Sequence, residues 1–515
     1  MAQKQQFTLL FDEDLDTYMR QMFPDVIEFK VLSKSLDARG APRGKKPSYQ
    51  YVVDTIKKGE EFTPFHESFK SDKKFKHKPV IIGAGPAGLF AALRFTEYGV
   101  AAVVVERGDV ADKRMLHISK YWRKGILNPE SNVCYGEGGA GLFSDGKLIT
   151  RIKSPFIKYI MNKFVEFGAP DEVAYLSNPH LGSNKIRKII TRISDYLKTK
   201  DCEFHYNKKV IEILTDNNIV KGVKLSSGEE IYTDHIILAC GHSAGDMYQH
   251  LAAKNVVMEQ KDFAVGVRIE HPRVYVDKIQ HGKYFDSEIL GAAKYRLSHH
   301  NKETDKGTYS FCMCPGGYVL SSGTEVDGIV VNGMSNYARN SRWSNSALVV
   351  STQHGRDFLE KDLLAGLDFQ HQIEQKAYQI SVAKADGRSL PAMTVKEFLT
   401  GKLNNEPLPK TSSPSGVFKT DIREIFPDFI NEHLKQGLMA FNKKLGGFAY
   451  DDALLIAPET RTSAPVTVLR NRLTLESDSH QGLYPAGEGA GYAGGITSAA
   501  VDGVKIVEAI INSYN

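Results

Sequence analysis

KPVIIGAGPAGLFAALRFTEYGVAAVVVERG, from Lys78 to Gly108, reads without interruption as strand, glycine turn, helix and strand. KPVII is a buried strand, AGLFAALRFTEYG a helix and AAVVVE a second strand. The turn from Gly83 to Gly88, with Pro86 and Ala87 inside it, carries the spacing G-x-G-x-x-G. Each part has a physical job. Gly83 permits the tight turn, Gly85 lets a pyrophosphate approach the backbone, and Gly88 lets helix and strand pack closely. The helix N-terminus offers amide hydrogens and the positive end of its dipole to phosphates. Glu106 stands 23 positions after Gly83, placed to accept hydrogen bonds from ribose hydroxyls, with Arg107 beside it. A dinucleotide site follows. A tight turn without a ligand is the bland alternative, and the complete context weighs against it.

YGEGGAGLFSDGKL, starting at Tyr135, repeats that spacing at Gly136, Gly138 and Gly141, but its surroundings differ. ESNVCY before it is no hydrophobic strand, and SDGKLITRIK after it would not start a helix. These glycines, with Gly139, therefore belong to a loop. It either folds against a bound cofactor, where missing side chains allow close approach, or serves as a flexible connector.

The chain has 515 residues, enough for two or three domains, and its 42% hydrophobic and 25% charged composition is that of an ordinary globular protein. With 66 basic and 61 acidic residues, the net charge of +5 argues for neither a nucleic-acid partner nor a membrane surface. MAQKQQFTLLFDEDLD lacks the apolar stretch of a signal peptide, and no window reaches about 18 uninterrupted apolar residues, so neither export nor a membrane span is expected. The five scattered cysteines suit a reducing cytoplasm better than a disulfide framework, and their spacing makes neither a four-cysteine zinc site nor an iron–sulfur site.

Residues 1–75 read as a small N-terminal α/β domain: FTLLF a strand, DEDLDTYMRQMF a helix, IEFKVLSKSL and SYQYVVDTIKK two further strands. The lysine-rich FHESFKSDKKFKHK then reads as a linker or solvated edge. Residues 76–262 form the first part of the nucleotide-binding domain. Within it, CEFHYNKKVIEILTDNNIVKGVKLSSGEEIYTDHIILACG reads as a β-meander followed by the buried strand IILAC. Residues 263–446 mix strands with amphipathic helices such as FLEKDLLAGLDFQHQIEQKAYQI and read as an inserted α+β substrate domain. Residues 447–515 return to strand, glycine turn and helix, rejoining the first sheet.

That last segment selects the cofactor. GLYPAGEGAGYAGGITSAAVDG places an apolar strand before Gly487 and Glu488, then Gly494 and Gly495 before a helix beginning around Ile496 and Thr497. A carboxylate there can bind a ribityl hydroxyl, and the helix N-terminus can stabilise negative charge on the N1 and C2 side of a reduced flavin. At these residues the sequence resembles the FAD-binding oxidoreductases related to glutathione reductase. VIIGAGPAGLFAAL with VVVERG, IILACG ending at Gly241, and YPAGEGAGYAGGI carry the resemblance. It implies a Rossmann-type FAD domain, non-covalent FAD, and a backbone contact to adenine near Val210. Glutamate at 488 replaces the aspartate of many relatives. Across nearly the whole chain, VLSKSLDARG, GEGGAGLFSDGKL, AVGVRIEHP, FCMCPGGYV and ETRTSAPV resemble a bacterial family of uncharacterised FAD-dependent dehydrogenases. That resemblance implies an FAD-dependent oxidoreductase.

The chemistry is less explicit. The C-x-x-C or C-x-x-x-x-C pair of a thiol–disulfide reductase is absent. Cys312 and Cys314 would share one face of an extended strand, as a thiol near the flavin, a redox couple, or simple packing. Arg268, Arg339, Arg342 and Arg461 can each hold an anionic substrate or stand solvated at the surface, with Arg461 best placed, shortly before the flavin segment. His271 is either a proton donor or a structural histidine. A second nicotinamide-binding unit is missing, so NADH or NADPH would dock transiently over the flavin, or a protein or quinone would exchange the electrons. The expected function is hydride transfer through flavin N5 to or from a small organic substrate. An electron-transfer or redox-sensing flavoprotein with a protein partner is the alternative, and a flavoenzyme modifying transfer RNA a further one.

Overall fold

The computed structural model describes residues 2–62, 69, 73–359 and 361–513. The expected linker lies partly outside them. The N-terminal unit is a three-stranded antiparallel sheet with Ser48–Lys57 between Gln3–Leu10 and Val26–Asp37. Helix Leu15–Met22 covers it, opened by Asp14, whose carboxylate accepts the Thr17 amide at 2.8 Å. The outer strand of this sheet docks on the body of the protein. Lys34 N donates to Tyr175 O at 2.9 Å, and Ser177 N to Lys34 O at 3.0 Å.

Five short parallel strands make the central sheet, in the order Leu483–Pro485, Ile236–Leu238, Val80–Ile82, Val103–Val105, Glu203–His205. Four of them are wholly buried because both faces are covered, which is why they read as continuous apolar runs. Side chains alternate between the faces. Ile81, Val104, Ile237 and Tyr484 pack against helices Pro86–Glu97, Gly182–Lys198 and Ile496–Asn512. Val80, Ile82, Val103, Val105, Ile236, Leu238 and Leu483 pack on the antiparallel meander Val210–Asp216, Ile219–Leu225, Glu230–Tyr232. The strand Glu203–His205, read from sequence as the start of that meander, instead forms an edge of the parallel sheet.

The inserted segment builds a seven-stranded sheet: Ser298–Asn301, Lys306–Cys314, Trp343–Thr352, Phe263–Pro272, Leu454–Glu459, Leu390–Thr394, Val417–Lys419. Helices Ala365–Lys384 and Asp428–Lys444 lie on it. The boundary drawn at residue 446 falls before Leu454–Glu459, whose hydrogen bonds belong to this inserted sheet. The long helix expected from Phe358 begins only at Ala365. A bulge between Phe311 and Cys314 puts Cys312 at φ +42°, breaking the alternation that would have put both sulfurs on one face. Cys312 is exposed and Cys314 buried. Among the described residues no helix is long and apolar enough to cross a membrane.

Candidate active site

The C-terminal ends of four neighbouring central strands converge on one groove. At the first, Gly83 has φ +106°, and a Cβ there would sit 2.3 Å from Ala239 O. At Gly88 a Cβ would sit 2.0 Å from Gly83 O, so only glycine lets the helix lie this close to its strand. Gly85 caps helix Pro86–Glu97 and faces open space, where an added Cβ would meet only Gly139 Cα at 3.9 Å. The amides of Gly85, Ala87 and Gly88 donate to no described group, as expected for a helix start awaiting an anion.

Glu106 ends the second strand, buried, with its carboxylate turned inward. Oε2 accepts the amide of Ala84 at 2.8 Å, while Oε1 accepts those of Gly108 and Gly136 at 2.9 Å each. Of its roughly four lone-pair positions, one remains on Oε2 for a ribose hydroxyl. Lys208 N donates to Glu106 O at 3.1 Å, which brings the start of the strand at Val210 beside this end of the groove. Arg107 is committed elsewhere. It forms a bidentate pair with Asp246 at 3.0 and 3.1 Å, donates to Glu130 at 2.6 Å, and lies 4.1 Å from the Tyr135 ring centroid. Its contribution is to a wall of the groove, because its charge is already neutralised.

The second glycine string folds onto the first. Gly138 N donates to Ala84 O at 2.8 Å, and only a short 3-10 turn, Ala140–Phe143, follows it. The loop is pinned by Arg114, fully buried, which donates to the carbonyls of Asn132 and Val133 at 2.7 Å and of Glu137 and Gly139 at 2.9 Å. Burial lowers its guanidinium to about 10, so it still carries its charge at neutral pH. Sequence gave no signal for this role, since Arg114 sits in an ordinary amphipathic helix.

At the far end of the groove, Gly241 and the Gly487–Gly495 turn close on each other. A Cβ on Gly489 would lie 2.5 Å from Gly241 O. Asp502 fixes the turn by accepting the Gly487 amide at 2.8 Å, and Arg470 holds Asp502 in place at 2.6 Å. Glu488 is half-buried, and no described group donates to its carboxylate. Burial pushes its carboxyl up to about 7, opposed by Lys261. Gly494 and Gly495 are exposed, and the helix Ile496–Asn512 starts in front of open space. Thr497 Oγ1 donates to Leu148 O at 2.7 Å, bringing the loop after the second glycine string to this helix start.

The expected catalytic residues separate. Cys312 is exposed, on the bulge beside Lys147, whose Nζ donates to Met313 O. The surrounding protein pushes its thiol up to about 12, against Lys147 and Arg268, which keeps it neutral. Arg461 is not free to clamp a substrate, because its guanidinium is paired on two sides with Glu374, at 2.9 and 2.7 Å. His271 is buried against Tyr275 and Phe448, with Nε2 2.8 Å from Phe448 O, and burial drops it to about 4. It is therefore no proton donor at neutral pH. Arg268 is buried against Glu459 and Arg339 against Asp145, so neither is the solvated or anion-holding arginine expected; Arg342 is exposed. Lys147, the lysine of the second glycine string's SDGKL, is the basic group brought next to this bulge, a role the sequence reading did not give it. Among the described residues no acidic, histidine and cysteine cluster could hold a metal ion.

Two family models cover most of this architecture. The pyridine nucleotide-disulphide oxidoreductase model matches residues 77–245, and the model described as FAD-dependent protein, C-terminal domain-like, matches residues 262–462. A protein of Clostridium beijerinckii described as "Uncharacterized protein" is 38% identical over 530 residues, covering 98% of each chain. The chain belongs to that bacterial family of FAD-dependent dehydrogenases. Dihydrolipoyl dehydrogenase of Vibrio cholerae is 32% identical over 76 residues, 13% of this chain and 16% of that one. Among solved structures, L-proline dehydrogenase from P. horikoshii aligns with TM-score 0.34 and 11% identity, covering 86% of this chain and 95% of that one. CtdE in complex with FAD aligns with TM-score 0.31 and 11% identity, covering 84% of each. In this FAD-dependent protein the C-terminal family match ends just past the strand Leu454–Glu459, in step with the pairing of that strand. The groove fits FAD: unpartnered helix-start amides suit a diphosphate, and an unpartnered carboxylate suits a hydroxylated chain.

Proposed function

We propose that the protein transfers a hydride between FAD and a small organic substrate at the junction of the parallel and seven-stranded sheets. The amides of Gly85, Ala87 and Gly88 would hold the diphosphate, and the remaining lone pair of Glu106 the adenosine ribose, with adenine beside the backbone at Val210. Glu488 would accept a ribityl hydroxyl, and the helix start at Gly495 and Ile496 would face the pyrimidine end of the flavin. FAD supplies the two-electron acceptor, through N5. This chain's residues bind it, orient it and wall it in.

The observation that carries the reading is the contact between Thr497 and Leu148, continued by Lys147 to Met313. Through it the helix start at the flavin end lies beside the bulged strand of the inserted sheet, where a substrate would meet the flavin. The described residues contain one five-stranded parallel sheet, so NADH or NADPH would dock transiently rather than in a domain of its own. The test is an anaerobic visible spectrum of the purified protein before and after NADPH or NADH. A band near ~450 nm that bleaches supports the reading with a nicotinamide donor. A band that persists moves the donor to a protein or quinone, and a colourless protein that takes up no FAD would overturn the reading.

A further inference from the structure

Helix Ala111–Lys124 starts at the groove and ends at a different opening. The Ala111 amide donates to Glu137 at 2.8 Å and Arg114 pins the second glycine string, whereas the last turn, about 14 Å beyond Arg114 along the axis, lines a cleft of its own. That cleft, about 630 Å³ in volume, lies where the nucleotide-binding domain meets the inserted segment. Both its size and its place are those of a small-molecule site. Tyr121, Arg123 and Lys124 at the helix end form one wall, Glu325 and Val326 on a loop the second, and helix Ala365–Lys384, through Tyr378 and Val382, the third.

The walls are fastened to one another. Arg388 Nη1 donates to Arg123 O at 2.8 Å and Trp122 O at 3.3 Å, joining the first wall to the turn that follows the third. Trp122 Nε1 donates to Ser321 O at 2.8 Å, and Ser321 Oγ to Tyr121 Oη at 2.7 Å, which ties the first wall to the strand Tyr318–Ser321 just before the loop. The Ile329 amide donates to Glu374 O at 3.1 Å, and Gln375 Nε2 to Asp327 at 2.9 Å, which closes the ring between loop and helix. A ligand entering here meets a shape already built.

The charges of the cleft are unevenly used. Arg388 is spent on Asp386, at 3.1 and 3.3 Å, and Asp386 also accepts the Ser389 amide at 2.6 Å. Arg123 and Lys124 are exposed, and neither side chain has a hydrogen bond or ion pair among the described residues. The last turn of a helix favours cations for its dipole alone, but these two share a cavity with an aromatic ring and an apolar rim. On that rim Val326 is 66% and Val382 54% exposed. Glu325, whose only described partner is Thr324 Oγ1 at 3.2 Å, leaves acceptor positions open for N–H or O–H donors on the loop wall. Two neighbouring unmatched cations suit a phosphate monoester, with its charge of about −1.5 to −2 at neutral pH, better than a single carboxylate.

We propose that this cleft is a second nucleotide site, taking a nucleoside monophosphate with its phosphate on Arg123 and Lys124 and its base against Tyr378 and the apolar rim. It is separate from the FAD reading, because the residues lining the cleft are not those of the groove.

The test uses the full chain as purified, with FAD content recorded by absorbance before and after titration. Isothermal titration calorimetry is run with AMP, adenosine and inorganic phosphate. The expected result is binding of AMP without release of flavin, with adenosine and phosphate at least ~10-fold weaker. Lys124→Met and Arg123→Met, both at exposed positions, should each weaken AMP by ~10-fold or more, and Lys124→Arg should restore most of the loss. The proposal is overturned if AMP does not bind, if adenosine or phosphate binds as tightly, or if either methionine variant binds AMP as the parent does. Release of flavin on adding AMP would also overturn it, since AMP would then be competing for the diphosphate groove.

Discussion

Oε1 of Glu106 accepts the amide of Gly136 at 2.9 Å, so one carboxylate joins the first glycine motif to the second. The same group also takes the amides of Ala84 and Gly108. Glu106→Gln keeps the shape but turns one acceptor into a donor, leaving at least one buried amide unsatisfied. The loss should be about 1–3 kcal/mol of stability, read as a lower urea midpoint of the FAD-free protein. An unchanged midpoint would show that the loop does not depend on this bond.

Gly85 separates folding from cofactor binding. Its backbone is extended at φ −80° and ψ −175°, which valine adopts, and an added Cβ meets nothing closer than 3.9 Å. Gly85→Val should therefore fold, with an unchanged far-ultraviolet circular dichroism spectrum, and purify without colour. A fully yellow Gly85→Val protein would remove the diphosphate from this turn.

Glu488 makes the FAD-free protein sensitive to pH in an unusual sense. Its folded value of about 7 lies above the ordinary 4.5, so the folded state holds the proton more tightly than the unfolded one. That stabilisation is complete below the ordinary value and drains away as pH rises from 4.5 to about 7. Glu488→Gln should be more stable than the parent by ~1–3 kcal/mol near about pH 8 and indistinguishable from it below about pH 4.5. Urea titrations of the FAD-free proteins across that range check the sign, and a difference that grows toward acid pH would refute it.

Arg461 and Glu374 should behave as one unit. Removing either charge leaves the other buried and alone, so Arg461→Met and Glu374→Gln should each cost about 3–5 kcal/mol. The double variant should recover much of that loss, because neither charge is then stranded. If Arg461→Met kept its stability and instead lost substrate binding, the arginine would be a substrate contact after all.

What sequence could show depended on the reach of the interaction. The nucleotide unit was legible because strand, turn and helix are contiguous, and Gly83 and Gly88 answer to neighbours in the adjoining strand or the same motif. Arg461 and His271 looked available for chemistry because their partners lie far along the chain, Glu374 87 residues away and Phe448 177 residues away. Period-two reasoning failed at Cys312 because a bulge there adds residues on one strand without leaving a trace in apolar pattern.

The strand Leu483–Pro485 takes its place beside Ile236–Leu238, although the whole inserted sheet intervenes in the chain. During synthesis, then, the sheet waits. The diphosphate turn emerges early, but the carboxylate and the helix start that complete the groove leave the ribosome only after the inserted sheet, a large block of protein that has had time to fold. A chain that stalls or is clipped before Leu483 would carry an intact glycine motif and an exposed sheet edge, and would be both colourless and prone to association.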